Sequence, residues 1–493
     1  MVVRRRRIVA AAATVVVFAA IAFVAIQLLG SHDSTAVLVP RGEGTSTDAL
    51  AYDDSQAEDL ERAAALGLSH ALYTKSPGGV FATAERTESF RPLVENAVDG
   101  SGFEADLVEA IVFLESGARP EVIAGDDPEA ASGLTQILAE TAQNFLGMEV
   151  DLDQSRSLTV RIAGAVARGD VTEAEHLREQ RREIDARFDP EQALAGTVRY
   201  LSSARERLGR DDLAVVSYHM GIGNLTNVLR LYAPGADLAV PDLVEDEDLS
   251  WVRVFFDTTP DRNGEAHALL TQLGDDSPTY YWRVLAAQEI MRLYREDSER
   301  LQELDLLHAA KGSAEEALHP PFETERFADA NDLQQAWNEN VLQSLPDDPA
   351  RLGFTVDRTM GELAQELGQP RELYRGLRAE ALATLVYIGT RVQALSAATQ
   401  PLQVTSAIRD DAYQDLLRSG NSEAAQGYSL HTTGFAFDVR RRYESGRQAQ
   451  AFQFLLDDLT ARNLIAWVRE PAAIHVTVSS EAEILVPLLL EEG

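Results

Sequence analysis

The sequence predicts a multidomain protein with an N-terminal transmembrane helix, a mainly α-helical middle and a C-terminal α+β region. A basic cluster precedes one long uncharged run at the N-terminus. Apolar residues then recur at helical spacing to about residue 290. In the last third, short β-rich segments follow a long helical pattern. At 493 residues the chain has room for about three domains of ~150 residues. The expected boundaries are 1–29 for a cytoplasmic stub and anchor, 30–55 for a flexible stalk, 56–295 for the helical domain, 296–369 for a connector and 370–493 for the α+β domain.

The anchor rests on Arg4 to Arg7 followed by the uncharged stretch Ile8 to Leu29. Such a run spans roughly 33 Å as a helix, enough for a ~30 Å hydrocarbon core and longer than a secretory signal's apolar segment. No Lys or Arg follows before Arg41, so the positive-inside rule places the bulk of the chain outside the cytoplasm. The chain carries 79 acidic and 44 basic residues, a formal charge of −35, which argues against a nucleic-acid binder. It has no cysteine, so disulfides, thiolate metal sites and a cysteine nucleophile are excluded. Any metal must be held by His and carboxylates.

In the helical domain Phe103, Leu107, Ala110, Ile111 and Leu114 share one face. The pattern ends at Glu115-Ser116-Gly117, with Gly117 as the expected stop. A carboxylate there meets the negative end of the helix dipole and apolar neighbours. Both raise its pKa, which suits a general acid for glycosidic cleavage. Acidic stretches at Asp242–Asp248 and Gly274–Ser277 read as surface loops, residues 296 to about 350 as partly helical, and 371–397 as one long helix.

Further motifs follow Glu115 in order: Gly133-Leu134-Thr135-Gln136-Ile137, Arg187-Phe188-Asp189-Pro190, Ser217-Tyr218-His219-Met220-Gly221 and Tyr280-Tyr281-Trp282-Arg283-Val284. Together they resemble the lytic transglycosylase (SLT, glycoside hydrolase family 23, lysozyme-like) domain over roughly residues 100–295, with insertions near 150–185 and 232–276. The resemblance implies a lysozyme-like α fold with peptidoglycan as substrate. It makes Glu115 the lone catalytic acid/base, cleaving between N-acetylmuramic acid and N-acetylglucosamine. The muramic 6-hydroxyl would then attack its own anomeric carbon to give a 1,6-anhydro end. Ser116, Gln136 and Tyr218 match positions that line the glycan cleft or orient the acid, and His219 would contact an acetamido group. Thr135 stands where the family commonly has Met, and His219-Met220 where it has Asn-Ala. Lysozyme-type hydrolysis stays open, with Asp185 and Asp189 as candidate second acids.

The C-terminal region holds segments at Leu402–Ser406, Phe435–Val439 and Ile474–Val478 that read as strands. His431 precedes Asp438 by seven residues, with Gly434 as the expected turn, and His475 alternates against Ile474, Val476 and Val478. Two imidazoles and one carboxylate, with a fourth position for water, form a catalytic zinc set. The string Ser429, His431, Gly434, Ala436, Asp438 resembles the M15 (D,D-carboxypeptidase type) zinc peptidases over roughly residues 370–482. That resemblance implies His431, Asp438 and His475 as zinc ligands, Arg409 as the oxyanion or substrate contact, and Ser429 as the holder of a substrate carboxylate. Several members place a general-base Glu three residues before the last His, where this chain has Ala472, so Glu470 is the candidate base. Otherwise the domain binds zinc without efficient turnover. The combined expectation is a single-pass enzyme of the bacterial wall side that cuts peptidoglycan glycan and trims its stem peptides. The rival readings are a wall-binding scaffold whose catalysis has decayed, and a regulator acting through a partner protein.

Overall fold

The computed structural model describes residues 48–234, 238–420 and 427–491. The anchor expected at 1–29 and the stalk residues 30–47 lie outside the described residues. Among the described residues no helix is long and apolar enough to cross a membrane.

The Glu115 helix forms as its spacing requires. Ala105–Ser116 buries Val108, Ile111 and Val112, and Gly117 ends it in the left-handed region at φ 58°. Its apolar face packs on Val284, Ala287, Ile290 and Met291 of the helix Tyr280–Glu296. Asp189 caps the helix Pro190–Leu208 by accepting from the Gln192 amide at 2.9 Å, with Pro190 in the first turn. The next helix, Asp211–Met220, turns Val215 to the Glu115 core and Leu213 and Val216 to a second core around Trp251 and Trp282. Residues 56–290 hold isolated bridges rather than named strands among the described residues.

The insertion near 150–185 is a helical hairpin, Leu152–Arg168 and Val171–Ile184, closed by a small cluster of Leu158, Ile162, Ala165 and Leu177. The acidic stretch after residue 240 also differs from the loop expected. Val240–Asp246 is helical, because Pro241 and Asp242 suit a first turn and Leu243 and Val244 find a core.

In the C-terminal region β2 (Phe354–Val356), β4 (Leu402–Ser406), β5 (Ala436–Arg440), β7 (Ala473–Val478) and β6 (Ile465–Arg469) form one sheet in that order. Only β2 runs parallel to its neighbour, β4. Phe437, Val439, Ile474, Val476 and Val478 face the helices Ala379–Ser396 and Gly446–Ala461. Asp438 pairs with His475, so strand alternation sets both on the opposite face, and a register shift between Val404 and Ser406 brings Ser406 opposite Asp438.

The helix expected over 371–397 is instead a turn at Arg371–Tyr374, the strand β3 (Gly376–Arg378) and the helix Ala379–Ser396. β3 pairs with β1 (Leu342–Ser344) from the connector, and a side chain at Gly376 would meet the Trp337 ring at 2.4 Å. Strands of three residues are too short to show a period of two, which hid both from sequence reading.

Within residues 48–55, expected as the end of a flexible stalk, the first few are packed. Leu50 joins the C-terminal core, and Asp48 accepts from the Tyr387 hydroxyl at 2.9 Å. Arg391 pairs with Asp48 at 3.2 Å and with Asp261 of the helical region at 2.9 Å. The helical and α+β regions thus share a partly buried polar contact.

Candidate functional site

Glu115 ends its helix partly exposed, with protein crowded around its carboxyl. The buried Tyr280 donates its hydroxyl to Glu115 Oε1 at 2.7 Å. Burial pushes the Glu115 pKa up to about 7, against the opposing pull of the Tyr280 hydrogen bond and the Arg283 charge. With Oε1 accepting from Tyr280, the proton of the neutral acid belongs on Oε2. Tyr280 → Phe removes a donor that favours the carboxylate. The titration of the Glu115 carboxyl is expected to move up by about one pH unit, the equivalent of about 1.4 kcal/mol and in the range of a hydrogen bond to a charged group. A pH–rate profile of the variant checks the direction.

Tyr218 stacks on Tyr280 with centroids 6.3 Å apart and donates to the Thr135 carbonyl at 2.8 Å. The bond ties the Asp211–Met220 helix to the Gly133–Ile137 loop. Gln136 lies in that loop with φ 53°, and its amide nitrogen donates to the Gly133 and Val122 carbonyls at 2.8 and 3.1 Å. Gly133 has φ 82°, and a side chain there would meet the Arg187 carbonyl at 1.8 Å, so only glycine allows this approach. Ser116 is buried, donates to the Leu134 carbonyl at 2.7 Å and accepts from the Arg119 amide at 3.1 Å. Its hydroxyl pins the loop to the Glu115 helix. His219 is exposed, with Nδ1 2.8 Å from the Ser277 hydroxyl and its ring 5.2 Å from that of Tyr280.

The candidate second acids have other partners. Asp189 is the helix cap already described, and Asp185 is fully buried against Arg187 at 2.8 Å and the Ser155 hydroxyl at 2.7 Å. Arg187, also fully buried, donates onward to the carbonyls of Pro128, Ala130 and Ile137, and so clamps both ends of the Gln136 loop. Arg187 → Met leaves Asp185 as an uncompensated buried charge. A loss of about 3–5 kcal/mol in unfolding free energy is expected from denaturant titration. The sequence offered Arg187 only as part of a motif, and Tyr280 likewise.

On the polar face of the sheet, ligand atoms of His431, Asp438 and His475 all lie within 4.8 Å of one another, and all three residues are buried. His431 Nδ1 lies 2.7 Å from the Ala407 carbonyl and must carry the proton there. Burial pushes the His431 pKa down to about 4, so the ring is neutral and Nε2 presents a lone pair. That lone pair faces Asp438 Oδ1 at 3.2 Å. Burial would raise the Asp438 pKa, but it lies well below the usual carboxylate range, and the hydrogen bond from His475 is among the contacts that hold it there. Two acceptors face each other, a donor set that a cation placed between them would satisfy. His475 Nδ1 completes the set at 2.9 Å from the same oxygen. The residues therefore fit a divalent metal with N,N,O ligation.

Arg409 stands beside the triad, bonded to Ser406 at 2.6 Å and Gln414 at 2.9 Å, with Asp438 Oδ2 at 3.4 Å. Ser429 is buried and precedes the turn Leu430–Thr433 that carries His431; Gly434 closes it with φ 83°. Glu470 lies at the end of the β6–β7 hairpin, its amide donating to the Ala473 carbonyl at 3.0 Å. Since β6 pairs Val468 with His475, alternation puts Glu470 on the face of His475. Arg441 donates to the Glu470 carbonyl at 2.6 Å and Arg440 pairs with Asp357 at 2.7 Å, so these arginines brace the hairpin and the sheet edge. One neighbour gave no sequence signal. Glu315, from the connector, places Oε2 3.8 Å from His475 Nε2.

These two constellations are an acid site in the helical region and, in the α+β region, a face whose residues fit a metal ion. The profile of the Transglycosylase SLT domain matches residues 170–236. The matched stretch holds Tyr218 and His219, and Glu115 joins it in space through Tyr280 and the Thr135 loop. The match supports lytic-transglycosylase-type chemistry on peptidoglycan. No curated protein matches the chain.

Proposed function

We propose that the chain is a membrane-anchored, extracytoplasmic enzyme of the bacterial wall that cleaves the N-acetylmuramic acid–N-acetylglucosamine bond and uses a zinc site to trim stem peptides. The observation that carries the glycan reading is Glu115, a carboxyl with its pKa near 7, held by Tyr280 beside the SLT-matched helix. Anchoring rests on Arg4–Arg7 and the apolar run Ile8–Leu29.

In this reading Glu115, protonated at Oε2, gives its proton to the bridging oxygen as the glycosidic bond breaks. The carboxylate so formed keeps the Tyr280 hydrogen bond, which stabilises it at the moment charge develops. Glu115 then takes the proton of the muramic 6-hydroxyl as that oxygen closes on the anomeric carbon. Asp185 and Asp189 are committed to Arg187 and to a helix cap, which favours this route over one needing a paired carboxylate. Gln136 and Tyr218, both partly exposed, and the exposed His219 would meet the sugars. Ser116 would act through the loop it pins.

In the second site His431, Asp438 and His475 would hold zinc. Bound zinc supplies Lewis acidity and brings the pKa of a water to ~7. Glu470 would take the proton from the attacking water, Arg409 would donate to the developing oxyanion, and Ser429 would hold the substrate carboxylate. Linking the two sites raises the local concentration of each one's product for the other.

Digestion of purified wall by the full chain, with and without a chelator, tests the pairing. Glycan cleavage is expected to persist in chelator and peptide cleavage to stop. Glycan release that depends on metal would contradict the assignment of Glu115.

A further inference from the structure

The imidazole of His475 has neighbours on both nitrogens. Nδ1 is 2.9 Å from Asp438 Oδ1, on the ligand side. Nε2 is 3.2 Å from the Thr477 hydroxyl and 3.8 Å from Glu315 Oε2. Glu315 comes from outside the 370–493 region, on the short helix Glu315–Leu318 of the connector, and is only 5% exposed. Its other oxygen, Oε1, is held by the Lys311 ammonium at 2.8 Å, so the carboxylate cannot turn freely away from the ring.

A metal-ligating histidine presents one nitrogen to the cation and needs its other N–H held by an acceptor, which fixes tautomer and ring orientation. A carboxylate at 3.8 Å acts on that N–H by Coulomb attraction, strong in buried surroundings, while the Thr477 oxygen supplies the direct contact. Burying a carboxylate is costly without such compensation. The connector is fastened where this contact requires it. His319 Nε2 lies 2.6 Å from the Val478 carbonyl at the end of β7, its ring stacks on Phe435 at 4.1 Å, and the Phe327 amide donates to the Thr432 carbonyl at 2.8 Å.

We propose that Glu315 is a positioning residue of the metal centre: its buried carboxylate keeps the His475 proton on Nε2 and leaves Nδ1 to face Asp438 and a divalent cation. The inference rests on the zinc reading of His431, Asp438 and His475. It makes the connector part of the metal site, so metal affinity depends on a segment outside the α+β region.

Zinc affinity of the full chain, measured by competition with a chromophoric chelator, tests it. Glu315→Gln is expected to weaken zinc binding about 10–100-fold. Glu315→Asp should restore part of the loss, and Glu316→Gln should bind as the unaltered chain does. Zinc held by Glu315→Gln as tightly as by the unaltered chain overturns this inference alone. An unaltered chain that binds no zinc, or a His431→Ala variant that keeps it, overturns the metal reading and this inference together. A second measurement needs no variant. In the cadmium-loaded, nitrogen-labelled chain, scalar coupling of the metal to His475 Nδ1 with a proton on Nε2 is expected, and coupling to Nε2 overturns the proposal.

Discussion

Glu115→Gln is expected to lower the rate of glycan cleavage by about 10²–10⁴, the range a positioned general acid contributes. Glutamine keeps the size of the side chain and its acceptor for the Tyr280 hydroxyl, and it matches the charge of the protonated acid. The fold should therefore be unaffected, and thermal unfolding of the variant should superimpose on that of the unaltered chain. The same carboxyl sets the pH dependence. Its pKa is raised to about 7 by burial, so the proton-donating form prevails below that value and is lost as pH rises through it. Activity should fall on the alkaline side of about 7, and the Tyr280→Phe limb should lie higher still. A rate that rises through this window would contradict the acid role.

His431→Ala is expected to abolish zinc binding and, with it, peptide cleavage. Two ligands remain after the change, Asp438 and His475, fewer than a structural or catalytic zinc site retains. Elemental analysis should give about one zinc per unaltered chain and close to none for the variant. Glycan cleavage should persist, because Tyr280 and Arg283, the groups that act on Glu115, lie on the helix Tyr280–Glu296 and not on the turn that carries His431. Acidification should release the metal from the unaltered chain, since protons compete for the same imidazole and carboxylate positions.

Local signals gave the first half of each site. Helical spacing and a glycine stop placed Glu115 at a helix end, and the structure ends that helix at Ser116 with Gly117 left-handed. Period-two alternation put His475 on the face opposite Ile474, Val476 and Val478, and the register pairs it with Asp438. The partners that tune these groups left no such trace. Tyr280 reaches Glu115 from a helix far along the chain, and its sequence neighbours Tyr281 and Trp282 are equally aromatic. Arg187 is legible only as part of a motif; its role follows from carbonyls spread over residues 128–137 that only the folded loop gathers. Glu315 sat in a stretch read as connector because a four-residue helix has no periodicity to reveal. The acidic helix Val240–Asp246 shows the converse, where composition suggested a loop and a proline in the first turn with two buried residues made a helix.

The most direct test is the chemical identity of the ends released when the full chain digests purified peptidoglycan, read by mass spectrometry of the muropeptides. The expected result is fragments ending in 1,6-anhydro-N-acetylmuramic acid, formed by the unaltered chain and by His431→Ala and missing with Glu115→Gln. Intact glycan strands after digestion, or the same ends in equal amount from Glu115→Gln, would contradict the central claim that this one carboxyl breaks the glycosidic bond.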